Sequence, residues 1–216
     1  MSATASPNFV SLWINGRQCP ASDGQTFEVR NPQSQRVVSV CASATSDDCK
    51  AAIFAAGEAF KTWEHTPITL RRGIFLKAAE LLESAQYSNK VLSTVMAETA
   101  AERTWVNSNT RGAVNLLREM TTFAAQLKGE TWPSVYPRAT ALMQRRPMGV
   151  ILGIAPPNAP IILSLRSICV PILCGNTAVL KSSEYSPRSQ SLIAELLQEV
   201  RERVFPEDLT IHKLEI

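Results

Sequence analysis

Two apolar runs, each followed by a helical pattern, constrain the fold of this 216-residue chain more than any other feature. The first run, residues 149–155, is continuous in the manner of a strand covered on both faces, and residues 161–174 follow it as a buried helix. The second run, residues 177–180, leads into a helix that Ser186-Pro187 opens. Strand, helix, strand and helix in this order predict a βαβα unit with a right-handed crossover, and therefore a parallel sheet.

The N-terminal part of the chain predicts a small antiparallel sheet. Residues 9–14 have the character of a strand and end at Asn15-Gly16, which is a strong signal for a two-residue hairpin. Residues 26–29 and 37–42 predict two further strands, separated by a turn at Asn31-Pro32.

Four amphipathic helices are expected next, because apolar residues recur at spacings of three and four. Ser46 is expected to cap the first helix, Thr66-Pro67 to start the second, and Gly129 to end the fourth. Beyond them Pro133 and Pro137 interrupt any helix, and residues 141–144 predict an exposed strand. The expected division is therefore 1–128 for the hairpin and helices, 129–147 for the strand segment and 148–216 for the βαβα unit.

Charge and cysteine content exclude several classes of protein. A net charge of +3 without a basic run does not predict nucleic-acid binding, and no apolar window approaches the length of a membrane span. The five cysteines are odd in number and irregularly spaced, and His65 and His212 lie far apart. These patterns predict no disulfide framework and no metal site, and favour a reducing, cytoplasmic compartment, with Cys169 and Cys174 as packing residues.

Polar groups follow both predicted parallel strands, at the edge where such sheets bind ligands. Ala155-Pro156-Pro157-Asn158 ends the first strand, and Lys181-Ser182-Ser183-Glu184 ends the second. A carboxylate in the second position suits ribose hydroxyls, and a lysine beside it reaches a hydroxyl or a phosphate. The usual G-x-G-x-x-G turn is absent. On spacing alone, a dinucleotide site and a plain α/β domain with a solvated Lys/Glu pair both stay open.

Four motifs resemble those of the aldehyde dehydrogenase superfamily, in the family's order and spacing. They are RPMGV at 146–150, IAPPNAP at 154–160, CGNT at 174–177 and LKSSEYSP at 180–187. The resemblance is greatest to members that act on aromatic aldehydes, such as salicylaldehyde and vanillin dehydrogenases, and it covers nearly the whole chain to about Leu209. It implies an α/β fold in which an N-terminal hairpin and helices lead into the first half of a Rossmann-like, NAD-binding parallel sheet.

The resemblance also implies roles for individual residues. Asn158 would stabilise the oxyanion that forms when a cysteine thiolate attacks an aldehyde, or would cap the following helix, and the two roles are compatible. The cofactor would be NAD or NADP, with NAD favoured because Glu184 crowds a 2′-phosphate, although Lys181 would attract one. The residues implied to bind it are Ile154, Ala155, Pro156, Asn158, Lys181, Ser183 and Glu184.

Two departures from the family pattern qualify these expectations. Pro157 stands where the family usually has tryptophan, and a second consecutive proline stiffens the approach to Asn158. The family's members are also more than twice as long, and their nucleophilic cysteine, general-base glutamate and catalytic domain match nothing before Ile216. The chain alone is therefore expected to be an inactive, truncated pseudoenzyme that binds its cofactor weakly or not at all, with at most a stub of a third strand at 209–211.

The alternative is a non-catalytic binding or regulatory module. Residues 141–144 match the strand through which family members assemble oligomers. The chain would then dock through this strand and its N-terminal helices, either on itself or on a full-length relative.

Overall fold

The computed structural model describes residues 8–204, which form nine strands and six helices. The strands are β1 Asn8–Val10, β2 Leu12–Ile14, β3 Arg17–Cys19, β4 Thr26–Arg30, β5 Val37–Ala42, β6 Glu130–Pro133, β7 Thr140–Met143, β8 Val150–Ile154 and β9 Thr177–Lys181. The helices are α1 Ser46–Trp63, α2 Ile68–Glu83, α3 Ala85–Thr99, α4 Arg103–Phe123, α5 Pro160–Leu173 and α6 Pro187–Val204. The chain is thus a mixed α/β protein, as the sequence predicts. The third-strand stub expected at 209–211 lies outside the described residues.

The N-terminal strands form a mixed sheet and a separate hairpin, so the single antiparallel sheet that the sequence predicts is wrong. β1 pairs with β5 in parallel and β4 pairs with β5 antiparallel, whereas β2 and β3 form a separate two-stranded sheet. The strand predicted at 9–14 is therefore two strands, which part at Ser11. The hairpin itself is confirmed, because Asn15 and Gly16 have φ values of 56° and 64°, the left-handed pair that a type I′ turn requires.

The helix ends differ from the predicted ones at two places. Thr45, and not Ser46, caps α1: its side chain accepts from the Asp48 N–H at 3.2 Å, and the Asp48 carboxylate accepts from the Thr45 N–H at 2.8 Å. This reciprocal capping box needs an acidic residue three positions after the cap, which selects Thr45. The fourth helix, α4, ends at Phe123 and continues only as a 3₁₀ turn over Ala124–Gln126, well before Gly129.

One hydrophobic core holds the helices together. Its largest fully buried side chains come from α2, α4, α5 and α6, and each contributes about 1.5–3 kcal/mol relative to an exposed position. They are Phe75, Leu82, Leu117, Leu165, Ile168, Ile172, Leu173, Leu192, Ile193, Leu196 and Leu197. The core thus contains residues from before and after the segment 129–147. The division of the chain into 1–128, 129–147 and 148–216 stays a prediction.

The βαβα unit is present as predicted. β8 and β9 pair in parallel, α5 connects them and α6 follows. Gly153 lets α5 approach β8 closely, because a Cβ there would lie 2.8 Å from the Ser167 hydroxyl oxygen. On the other face Leu152 and Ile154 are 62% and 66% exposed. The expectation that β8 is covered on both faces is therefore wrong for the described part of the chain, because both of these side chains are mostly exposed. Between residues 8 and 204, no helix has the length and apolar character needed to cross a bilayer.

Candidate functional site

The ends of β8 and β9 bring the two predicted binding segments side by side. Ile154 lies opposite Lys181 in the strand register, and the Ala155 N–H donates to the Lys181 carbonyl at 3.5 Å. The loop 155–159 and the loop 182–186 therefore leave the sheet at one edge, the edge where open parallel sheets bind ligands. Ala155 is buried, whereas Ile154 and Pro156 are exposed beside it.

Lys181 and Glu184 form an exposed ion pair at this edge. The Lys181 ammonium nitrogen lies 3.3 Å from a Glu184 carboxylate oxygen, and both side chains are more than half exposed. The backbone N–H of Glu184 and then the Lys181 ammonium group lower the pKa of the Glu184 carboxyl below its usual range. The carboxylate is thus ionised at neutral pH. An exposed pair of this kind adds little to stability, so both groups are free to exchange partners with a ligand.

Ser183 has a different environment from its two neighbours. It is buried, and its hydroxyl accepts from the Tyr185 N–H at 3.3 Å. Its place is therefore within the loop, where it shapes the backbone that carries Glu184.

Asn158 is exposed in the bend before α5. The helix begins at Pro160, which occupies the first helical position, and its N-cap is Ala159 without a side-chain cap hydrogen bond. The interpretation of Asn158 as the N-cap is therefore wrong by one residue. The asparagine amide is accessible from solvent, as a donor to a bound substrate must be.

Gln190 of α6 joins the two loops, and sequence reasoning missed it. Its side-chain oxygen accepts from the Ser183 N–H, and its side-chain nitrogen donates to the Ala155 carbonyl at 3.3 Å. The side chain is only 2% exposed. A glutamine on an otherwise apolar helix face was the available signal, because a buried amide requires partners.

Glu98 of α3 holds the start of α6, the helix that follows the loop 182–186, and this role was also not predicted from the sequence. Its buried carboxylate accepts from the backbone N–H groups of Arg188 and Ser189, at 2.9 and 2.7 Å. These are orphan donors of the first turn of α6, so Glu98 caps this helix from another helix. Ser186, the residue just before α6, has a buried hydroxyl that forms no hydrogen bond with any residue in the described part of the chain.

The donor set at this edge fits the adenosine side of a dinucleotide. An ionised, exposed carboxylate accepts from ribose hydroxyls, and an adjacent lysine donates to a hydroxyl or a phosphate. Gly153, by contrast, faces α5 and does not form a glycine-rich phosphate turn. The residues present therefore fit a ribose better than a pyrophosphate.

Four of the five thiols are held away from the thiolate state. Burial raises the pKa of Cys41 to about 12, and burial also raises the pKa values of Cys19, Cys169 and Cys174. Cys49 is exposed on α1. Because the thiolate is the nucleophilic form, the four cysteines with raised pKa values are protonated and unsuited to covalent chemistry at neutral pH. Among residues 8–204 no cluster of side chains could hold a metal ion.

A groove of about 540 Å³ lies elsewhere on the molecule, against the C-terminal half of α6 and the start of α3. Four of its charged groups form two ion pairs, Lys90 with Glu195 and Arg203 with Glu199, and the Tyr87 hydroxyl donates to Glu199 at 2.6 Å. This groove contains none of the predicted site residues.

A model of the aldehyde dehydrogenase family matches residues 19–210. The chain belongs to the aldehyde dehydrogenase family. It is 46% identical to a vanillin dehydrogenase from Pseudomonas fluorescens over 190 residues, which are 88% of this chain and 39% of that protein. The chain thus spans about two fifths of the length of the curated relatives it matches.

Solved structures of this family share the fold. A salicylaldehyde dehydrogenase from Pseudomonas putida G7, complexed with salicylaldehyde, superposes with a TM-score of 0.85 at 37% identity and covers 89% of this chain and 40% of that one. An NAD-dependent benzaldehyde dehydrogenase from Corynebacterium glutamicum superposes with a TM-score of 0.81 at 28% identity, over 87% of this chain and 41% of that one. The described residues correspond to the N-terminal portion of such aldehyde dehydrogenases.

Proposed function

We propose that this aldehyde dehydrogenase chain forms the cofactor-side part of an enzyme that oxidises an aromatic aldehyde to a carboxylic acid with NAD(P). The observation that carries the proposal is the exposed, ionised Glu184 beside Lys181 at the carboxyl ends of two parallel strands. Similarity to dehydrogenases of vanillin, salicylaldehyde and benzaldehyde supports the aromatic substrate class. The free cysteines suit a reducing, cytoplasmic compartment.

The residues at this edge have different roles in binding the cofactor and the aldehyde. Glu184 accepts from the ribose hydroxyls and Lys181 donates to them, while Ser183 holds the loop backbone that carries them. Ile154, Ala155 and Pro156 line the adjacent side. NAD(P), when bound, supplies the hydride acceptor. Asn158 donates its amide N–H to the aldehyde oxygen as negative charge develops there.

Glu184 favours NAD over NADP. Its carboxylate is ionised at neutral pH, and it would lie next to the 2′-phosphate that distinguishes the two cofactors. Lys181, whose ammonium nitrogen lies 3.3 Å from the carboxylate, reduces this repulsion, but Glu184 keeps its negative charge. NAD is therefore the preferred cofactor.

The chain by itself does not turn over aldehydes. Covalent aldehyde oxidation needs a thiolate and an oxyanion donor held together beside the hydride acceptor. Asn158 can serve as the donor, but burial keeps the thiols of Cys19, Cys41, Cys169 and Cys174 protonated, and the exposed Cys49 lies on α1 rather than on either loop at the ends of β8 and β9. We expect no turnover of vanillin, salicylaldehyde or benzaldehyde with NAD by the purified chain.

A second candidate function is docking on a family member, and the β6–β7 hairpin favours it. The two strands pair antiparallel, and they leave Trp132 and Leu142 47% and 61% exposed. Tyr136 in the connecting turn is 73% exposed. Such aromatic and apolar groups on an open strand pair suit an interface between subunits.

Calorimetric titration of the chain with NAD and with NADP tests the main proposal. We expect weak binding, tighter for NAD, that Glu184→Gln reduces about tenfold, the equivalent of one charge-assisted hydrogen bond. Glu80→Gln is the matched control, since Lys77 and Glu80 form another exposed i,i+3 pair, in α2. Equal loss in both variants, or binding that is indifferent to Glu184→Gln, contradicts the assignment of the site.

A further inference from the structure

We infer that Gln190 is the positioning residue that fixes the two cofactor loops relative to each other. The inference rests on the proposed function, because it assigns to this buried amide the task of holding the ribose-binding segment in register with the segment after β8. Gln190 is only 2% exposed, so it acts through the loops that it holds.

The geometry places one amide between two loop backbones. The Gln190 side-chain oxygen accepts from the Ser183 N–H at 2.5 Å. Its side-chain nitrogen donates to the Ala155 carbonyl at 3.3 Å and lies 3.5 Å from the Pro156 carbonyl. Both loops are thereby tied to α6, a helix whose first turn is itself held by Glu98.

A glutamine suits this position for a chemical reason. Its side chain offers an acceptor and a donor at once, whereas a carboxylate only accepts and an apolar side chain does neither. The hydrogen bonds between β8 and β9 do little to hold the two loops together, because the last of them, from the Ala155 N–H to the Lys181 carbonyl, is already 3.5 Å long. Beyond that bond, Gln190 maintains the spacing of the two loops.

Ser183 connects Gln190 to the residue that binds the ribose in the proposed function. Its N–H is held by Gln190, and the next residue is Glu184, whose carboxylate accepts from the ribose in the proposed function. A dinucleotide that contacts both loops needs them within about 0.5 Å of their binding geometry. Loss of the amide therefore weakens NAD without removing any group that touches it.

The test uses the full chain at pH 8 with Gln190→Met, which removes both hydrogen bonds at similar volume, and Gln190→Glu, which as an ionised carboxylate keeps only an acceptor. Gln198→Met is the matched control, because Gln198 lies on the same helix and its side chain bonds to Glu202 and Arg201 rather than to either loop. The measurements are the Kd for NAD by calorimetry, chemical denaturation, and hydrogen exchange at the Ser183 amide.

Gln190→Met should weaken NAD binding at least about tenfold under conditions where the variant is fully folded, and should accelerate exchange at Ser183. Gln190→Glu should keep Ser183 protected yet still weaken NAD, because the Ala155 carbonyl loses its donor. If Gln190→Met does not fold, the Kd of Gln190→Glu decides. Gln198→Met should match the unmodified chain.

The contrary outcomes separate the two claims. If the unmodified chain binds NAD and the Gln190 variants bind it equally well, Gln190 only stabilises the fold and the inference is overturned while the proposed function stands. If the unmodified chain binds no NAD, the proposed function fails, and the cofactor role of Gln190 fails with it.

Discussion

The buried carboxylate of Glu98 accepts two hydrogen bonds from Ser189, one from its backbone N–H at 2.7 Å and one from its hydroxyl at 2.6 Å. Glu98 lies near the end of α3 and Ser189 lies in the first turn of α6. An N-terminal helix thus anchors the helix that directly follows the Lys181–Glu184 loop. The candidate site and the N-terminal helices are thereby coupled energetically.

Glu98→Gln should lower the free energy of unfolding by about 1–3 kcal/mol, the cost of leaving a buried N–H without an acceptor. One carboxylate oxygen becomes an NH₂ group, and the N–H groups of Arg188 and Ser189 cannot both be satisfied. Urea denaturation measures the change. Glu102→Gln, at an exposed glutamate that precedes α4 and makes no side-chain cap, should leave stability within about 0.5 kcal/mol of the unmodified value.

Glu98 also predicts a pH dependence. Burial raises its pKa above the usual 4.5, although the bonds from Ser189 act in the opposite direction. The folded state therefore holds the Glu98 proton more tightly than the unfolded state does. The stabilisation that this protonation gives the folded state is complete below about pH 4.5, and it is lost as the pH rises through the folded-state pKa. The stability difference between the unmodified chain and Glu98→Gln should shrink over that window. A difference that grows with pH contradicts the prediction.

Arg71→Met should lower the free energy of unfolding by about 1.5–3 kcal/mol. The buried Arg71 guanidinium donates to the carbonyls of Thr66 and Leu173, both at 2.9 Å, and so links the start of α2 to the end of α5. Methionine keeps the volume but supplies no donor. Arg72→Met is the control at the adjacent, exposed arginine. An equal loss of stability in both variants would contradict the prediction. Thermal and urea unfolding measure the two variants.

Thiol labelling should distinguish the cysteines by burial. In the folded chain at pH 8, iodoacetamide should modify the exposed Cys49 well before Cys41 and Cys169, because burial both shields these two thiols and raises their pKa values. Peptide mapping by mass spectrometry follows each site. Labelling of Cys169 as fast as that of Cys49 would show that the core around α5 opens readily.

Local patterns in the sequence were sufficient to predict most elements and to predict that the ends of β8 and β9 meet at one edge of a sheet. The apolar run before Pro156 and the run before Lys181 predict parallel strands, and both form. Asn15-Gly16 predicts its hairpin because two adjacent left-handed residues are rare outside Asn and Gly. The Lys181–Glu184 pair follows from its place after a strand, since carboxyl ends of parallel strands share one edge.

Features that depend on distant parts of the chain could not be predicted. The partners of Gln190 lie seven to 35 residues away along the chain, and those of Glu98 lie 59 to 91 residues away. No periodic pattern encodes such distant pairings. The strand at 9–14 divides for a similar reason, because β1 finds its partner in β5 across the intervening hairpin.

Amide chemical-shift mapping by NMR, with NAD added to the isotope-labelled chain, tests the central claim most directly. The shifts should concentrate at residues 154–158 and 181–185, the two loops at the ends of β8 and β9, and should diminish in Glu184→Gln. Shifts centred on Tyr87, Lys90 and Glu199, which line the groove against the far half of α6, or no shifts at all, would contradict the assignment of a cofactor site to these strand ends.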